Sequence, residues 1–323
     1  MSQDKRNKQT VSRRRMITTG IAGVGALGLG AISACQAQQG SGSAEPQATA
    51  CCAADGGKPT RNMKLSLAAY SMREALGEGT IDLFDFIDWC AELDLQGTEL
   101  TSYYFPKEFD NAFLHKLKLH AYKQGVSISG TAIANDFCQA PGSEGRKKDL
   151  AHVKKWIDYA AEMDAPHIRI FAGRAPEGLA LETALGYVAD GIRECLDYAG
   201  KRGVVLGLEN HGGVTARAKD HLAICDRVGN HPNFGVNLDS GNYRTDCYDE
   251  LAMAAPRAVN VQIKVMISDN DENRLDTDME RVRDILNAAN YKGWVVLEYE
   301  EKEDPRVAIP RYIEQLKKVY LGV

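Results

Sequence analysis

A chain of 323 residues that is 44% hydrophobic and 26% charged, with a net charge of -5, has an ordinary globular composition and length for one large core or two small ones. Its mild acidity argues against nucleic acid as the main partner, because that binding draws on clustered Lys and Arg.

The first 35 residues are a different polymer from the rest. "SRRRMITTGIAGVGALGLGAISAC" runs from Arg13, Arg14 and Arg15 into a Gly/Ala/Leu/Ile stretch and stops at Cys35. Its position, Gly content and small residues at the end fit a cleavable export signal better than a retained membrane span. "SRRRMI" resembles a twin-arginine signal and "ISAC" a bacterial lipobox, so Cys35 is the candidate lipidation residue. The expectation is export to the periplasm or the bacterial envelope, with the membrane touched only through an N-terminal lipid anchor. Residues 36–61 are rich in Gly, Ser, Ala, Gln and Pro without apolar periodicity and read as a flexible tether. Cys51 and Cys52 lie in that tether, and the five later cysteines show no CxxC spacing, which argues against a zinc ribbon or a redox pair.

From residue 62 to 323 one sentence repeats: a short β-rich run, a loop, an amphipathic helix. Predicted strands fall at 64–70, 97–101, 126–133, 167–173, 204–210, 233–239, 259–265 and 294–299. Between the first two, Leu83, Phe86, Ile87 and Cys90 make the apolar stripe of a helix. Gly97, Gly125, Gly203 and Gly293 sit where helix stops belong. Strand alternating with helix means right-handed βαβ units and a parallel sheet, and eight such units over about 260 residues match a (β/α)8 TIM barrel. A doubly wound open sheet is the rival, but no GxGxxG follows the first strand.

A barrel of this kind collects function at the C-terminal ends of its strands. Those ends carry Tyr70, Glu99, Asn135 with Asp136 just beyond the third strand, Arg169, Glu209 with Asn210 and His211, Asp239 with Asn242, Gln262 with Lys264, and Glu298 with Glu300. The seventh strand, "VNVQIKV", alternates strictly, so Asn260, Gln262 and Lys264 share one face. Glu209, Asp239 and Glu298 each follow an apolar run and would converge on one mouth. Carboxylates that close repel unless some are protonated or a cation lies between them, and oxygen donors suit Mn²⁺ or Mg²⁺, a mixed set Zn²⁺ or Co²⁺. The remaining histidines, His115, His120, His152, His221 and His231, read as surface residues.

From about Lys64 onward the chain resembles the xylose isomerase-like TIM barrels, the sugar phosphate isomerase/epimerase superfamily, on "LENH", "LDSGN", "VQIK" and "LEYE". The resemblance implies a divalent metal held by Glu209, Asp239, Gln262 and Glu298. It also implies that Glu209 and Glu298 act as base and acid on a sugar. Position at the strand ends, rather than the resemblance, makes Tyr70, Glu99, Arg169, His211, Asn242 and Lys264 candidate substrate contacts, with a hydrogen-bonded loop role the alternative for His211 and a carboxylate the alternative partner for Lys264. Gln262 and Asn242 depart from the family, which carries His at both places. The implied activity is epimerisation or isomerisation by proton removal beside a carbonyl. With no Gly-rich phosphate loop and with export expected, a neutral or oxidised sugar such as a 3-keto-glycoside is the expected substrate. Alternatives are β-elimination or hydrolysis of that glycoside on the same site, and a tethered sugar-binding barrel without turnover. An endonuclease IV-like phosphodiesterase shares the fold but needs a richer His set. A homo-oligomer is compatible with the sequence.

Overall fold

The computed structural model describes residues 62–268 and 273–323. The export signal, Cys35 and the tether up to residue 61 lie outside the described residues.

The strands are β1 (Lys64–Ala68), β2 (Gly97–Thr101), β3 (Ser127–Ala132), β4 (His167–Ile170), β5 (Val205–Glu209), β6 (Phe234–Asp239), β7 (Ala258–Ile263), β8 (Met266–Ser268), β9 (Arg274–Asp276) and β10 (Trp294–Leu297). Eight close a parallel barrel in the order β1, β10, β7, β6, β5, β4, β3, β2, while β8 and β9 form a small antiparallel ribbon. All eight predicted barrel strands are therefore present, several with shorter ends. Chain that was expected to continue four of them turns off the ladder at the mouth. Tyr70 lies on a 3-10 turn, Phe171 follows β4, Lys264 follows β7 and Glu298 follows β10.

The helices are α1 (Arg73–Glu78), α2 (Leu83–Glu92), α3 (Asn111–Lys123), α4 (Glu144–Glu162), α5 (Leu181–Arg202), α6 (Ala218–Val228), α7 (Cys247–Ala254), α8 (Met279–Ala288) and α9 (Pro305–Leu316). The start of α2 is fixed by a capping box, with the Asp82 carboxylate accepting from the N–H groups of Phe84 and Asp85 and Asp85 accepting from that of Asp82. The predicted stripe Leu83, Phe86, Ile87 and Cys90 is buried against the barrel. Two predicted stops need correction. Gly125 and Gly203 are left-handed, but at the ends of α2 and α8 that conformation falls on Asp94 and Asn290, which tolerate it. Gly97 instead leaves room for the Trp294 ring, 2.5 Å from where a Cβ would sit. No helix among the described residues is long and apolar enough to cross a membrane.

Barrels of this class are usually filled by branched aliphatic side chains. This one is filled largely by polar ones. Ser66 and Ser129 hydrogen-bond across it at 2.8 Å, and Glu99, Asn237, Asn260 and Gln262 form a closed network beneath the mouth. Lower still, the His167 ring fills space that Gly130 and Gly207 leave open; a Cβ on Gly207 would lie 2.3 Å from its Nε2. Neither ring nitrogen of His167 has a hydrogen-bond partner among the described residues, and burial pushes its imidazole down to about 3. A histidine whose folded value lies below its unfolded one contributes stability above about pH 6.5 and loses it as the pH falls. His167→Leu should therefore gain on the wild type by about 1.4 kcal/mol per pH unit between roughly pH 6.5 and 4. Urea unfolding of both proteins across that range checks this, and parallel curves would refute it.

His221 is corrected too. It lies on the inner face of α6, fully buried, with Nδ1 2.9 Å from the Tyr243 hydroxyl and Nε2 3.1 Å from the Leu208 carbonyl. The five cysteines of the barrel are buried and free, and burial lifts the thiols of Cys90, Cys138, Cys195 and Cys225 to about 12, so none is poised as a nucleophile.

Candidate active site

At the C-terminal mouth, the ends of β4, β5, β6, β7 and β10 bring six charged side chains together. Arg169, on β4, lays its guanidinium over the Phe171 ring at 3.9 Å and sets its Nε 2.9 Å from Glu209 Oε2. The other Glu209 oxygen accepts from Asn242 Nδ2 at 3.0 Å. Asn210 clamps the neighbouring strand ends, donating to the Asp239 carbonyl and accepting from the Asp239 N–H, both at 2.9 Å. Asp239 Oδ1 in turn accepts from the Gly241 N–H at 2.8 Å.

Lys264 sits in the middle of the mouth rather than on its rim, 7% exposed. Its Nζ contacts Glu298 Oε2, lies 3.1 Å from Glu300 Oε1 and lies 3.3 Å from Asp239 Oδ2. Its backbone is held from both sides, the N–H donating to Ser240 Oγ at 2.9 Å and the carbonyl accepting from Thr277 at 2.6 Å. Gly241 supplies the space for its stem, since a Cβ there would lie 2.6 Å from Lys264 Cγ. The glycine of "LDSGN" is thus a matter of close approach.

Four carboxyls, those of Glu209, Asp239, Glu298 and Glu300, surround two fixed cations, Arg169 and Lys264, leaving two negative charges in excess. The protonation tendencies follow that balance. Burial pushes the Glu209 carboxyl well above its usual range, Arg169 opposing and Asp239 and Glu298 adding to it. Burial likewise lifts Asp239 to about 7, against the pull of Lys264. Glu298 goes the other way: burial would raise it, but Lys264 and then Arg169 bring it below the usual range. Burial disfavours the Lys264 ammonium, yet Asp239, Glu298 and Glu300 more than offset this and hold the proton on.

The other predicted site residues divide. Tyr70 is at the mouth, its ring edge-on to Tyr103 at 6.3 Å. His211 lies at the mouth with its ring tilted against Phe171 at 4.2 Å, and the residue is exposed. Glu99 is not at the mouth. It is fully buried on β2, accepting from Gln262 Nε2 at 2.8 Å and Asn260 Nδ2 at 3.1 Å, and burial lifts it to about 7. Gln262 belongs to the same layer, its amide oxygen accepting from Asn237 Nδ2 at 2.7 Å. The expectation that this oxygen faces a metal is therefore corrected. Asn210, read from the sequence as a strand-end residue, is at the mouth as the clamp between β5 and β6. Sequence reasoning missed Asn237, though it stands two residues before Asp239, where the period of a strand puts it on the same face.

The residues present do not fit a divalent ion as the family holds one. Gln262 is turned to Asn237, Glu209 accepts from Asn242 through Oε1 and is ion-paired with Arg169 through Oε2, and Lys264 already sits between Asp239 and Glu298. Among the described residues no three His, Cys, Asp or Glu side chains converge as metal ligands.

Comparison with known proteins gives a consistent picture. The profile of one family, described as xylose isomerase-like TIM barrel, matches residues 62–319. No curated protein sequence matches the chain. Solved structures superpose over most of the barrel. Protein SMc04130 from Sinorhizobium meliloti 1021 has 20% identity and a TM-score of 0.64, covering 79% of this chain and 98% of its own. D-psicose 3-epimerase, crystallised with D-fructose, has 18% identity and a TM-score of 0.64, covering 81% and 100%. The 3-keto-D-glucoside 4-epimerase YcjR from E. coli has 16% identity and a TM-score of 0.61, covering 79% and 99%. At such identities the likeness is one of fold.

Proposed function

This chain belongs to the xylose isomerase-like TIM barrel family over residues 62–319, and on that footing we propose that it is an enzyme that epimerises or isomerises a sugar by moving the proton on a carbon beside a carbonyl. The observation that carries this reading is the opposed pair of carboxyls at the mouth, Glu209 biased toward the protonated form and Glu298 toward the ionised one. Two carboxyls driven apart in this way divide the work of acid and base. Glu298 takes the proton from the sugar carbon, leaving an enolate. Glu209 returns its own proton to the opposite face of that carbon for epimerisation. For isomerisation the proton goes to the former carbonyl carbon while the hydroxyl proton on the first carbon's oxygen passes to the former carbonyl oxygen, so that the carbonyl changes place. The two carboxyls end with exchanged protons, and the net reaction consumes nothing else. No step passes through a metal.

The substrate is a neutral keto sugar rather than a sugar phosphate. The two cations of the mouth, Arg169 and Lys264, are already paired with carboxyls, which leaves none to hold a phosphate dianion. The aromatic rings of Tyr70, Tyr103 and His211 suit the apolar face of a sugar ring. The relatives D-psicose 3-epimerase and 3-keto-D-glucoside 4-epimerase are named for substrates of this kind. The test is incubation with ketoses and 3-keto-glycosides in D2O. Deuterium should enter at the carbon beside the carbonyl, with a new epimer or isomer appearing. Release of the aglycone would assign elimination instead, and sugar binding without exchange would make the barrel a binding protein.

A further inference from the structure

The family resemblance demands a cation at the meeting point of Asp239 and Glu298, and this chain puts one of its own there. We propose that the Lys264 ammonium is the electrophile of this site, standing where a divalent ion would stand and taking up the charge of the enolate oxygen, so that the enzyme works without a metal. The chemistry rests on the proton-transfer reading above, whereas the position of the cation rests on geometry alone.

Three observations support the assignment. First, the ammonium is fixed: its stem lies against Gly241, its backbone is held by Ser240 and Thr277, and its Nζ is gripped by Glu298 with Asp239 3.3 Å away. A second positive centre a few ångströms from it would be strongly repelled. Second, the two positions at which the family offers imidazole carry amides here, and both are turned to protein groups. Gln262 accepts from Asn237 and donates to Glu99, and Asn242 donates to Glu209. Third, the ammonium has one replaceable partner. Glu300 is its contact on the solvent side, 3.1 Å away with a side chain 41% exposed, whereas the side chains of Asp239 and Glu298 are almost wholly buried.

A substrate carbonyl that displaces Glu300 accepts an N–H from Lys264. As Glu298 removes the neighbouring proton, the C–H electron pair becomes the new carbon–carbon π bond and the carbonyl π pair moves to oxygen, beside the ammonium. When the proton returns to carbon, those pairs move back. Lys264 keeps its proton throughout and serves as a preorganised donor, the role of an oxyanion hole.

The experiment uses the purified full chain and has one arm that needs no activity. Calorimetric titration with Mn²⁺, Mg²⁺, Co²⁺ and Zn²⁺, together with elemental analysis, should show no stoichiometric metal. Deuterium exchange on a substrate should stay within about twofold after EDTA treatment. Lys264→Met should lower exchange by a factor on the order of 10²–10³, as loss of an oxyanion donor does, while Lys264→Arg keeps a measurable part of it. A wild-type protein that binds one divalent ion, or that loses exchange to EDTA and regains it with metal, overturns the proposal. So does a folded Lys264→Met that turns over normally. If that variant does not fold, the wild-type titration and the EDTA assay decide. If no sugar is turned over at all, the proton-transfer reading fails, while metal-free wild type and a gain of Co²⁺ binding in Gln262→His/Lys264→Met would still place the lysine where the ion would be.

Discussion

Glu298→Gln is expected to slow proton exchange by a factor on the order of 10²–10⁴, the usual loss when a positioned acid or base is removed. The substitution keeps the shape of the side chain and its carbonyl can still accept from Lys264, so the lysine stays in place with Asp239 and Glu300 as its remaining charged partners. What disappears is a carboxyl that Lys264 and Arg169 hold below the usual range against its burial. The fold should survive, because Glu298 lies beyond the last residue of β10 and its own N–H is tied to the Ile263 carbonyl at 3.0 Å whatever the side chain. Exchange rates in D2O, measured beside a thermal melt, separate the two effects. An unchanged rate would remove Glu298 from the mechanism.

Gln262→Leu should act on stability instead. Both ends of the Gln262 amide are used inside the barrel, so leucine strands the Asn237 Nδ2 donor and one oxygen of Glu99. Each buried polar group left without a partner costs about 1–3 kcal/mol, which gives a loss of about 2–6 kcal/mol for the pair. Glu99 should also become harder to ionise, since a hydrogen bond to its charged form is removed. Urea unfolding at neutral pH measures the loss, and a change below about 0.5 kcal/mol, the scale of an ordinary surface substitution, would mean that the network holds nothing together.

The barrel was legible because its signals are local and repeated: apolar alternation, helix-ending glycines such as Gly125 and Gly203, amphipathic stripes such as that of α2. The carboxyls of the mouth were legible for the same reason, each closing an apolar run. What the chain could not show was height within the barrel. The period of a strand assigns Asn260, Gln262 and Lys264 to one face, but not that the first two meet Asn237 and Glu99 below the mouth while the third reaches Asp239 and Glu298 within it. Those meetings depend on neighbouring strands, where Asn237 pairs with Asn260 and Asp239 with Gln262. His221 was readable and was missed: Ala218, His221 and Cys225 share one helical face, and all three are buried. The left-handed positions at Asp94 and Asn290 were hidden by glycines close by that serve other purposes.

The alternation of β7 bears on how this protein can change. Past the irregularity at its start, Asn260, Gln262 and Lys264 face the chamber while Val261 and Ile263 join the apolar core, so the strand's length is constrained more tightly than its composition. Exchange of one branched aliphatic residue for another at Val261 or Ile263 changes little but volume. A single codon lost or gained between Val259 and Gln262 would exchange the two faces of everything beyond it, carrying valines into the proton-transfer chamber and the amides out among the helices. Variation in β7 is therefore confined to replacement, and differences in length among descendants of this sequence should accumulate in the loops around it.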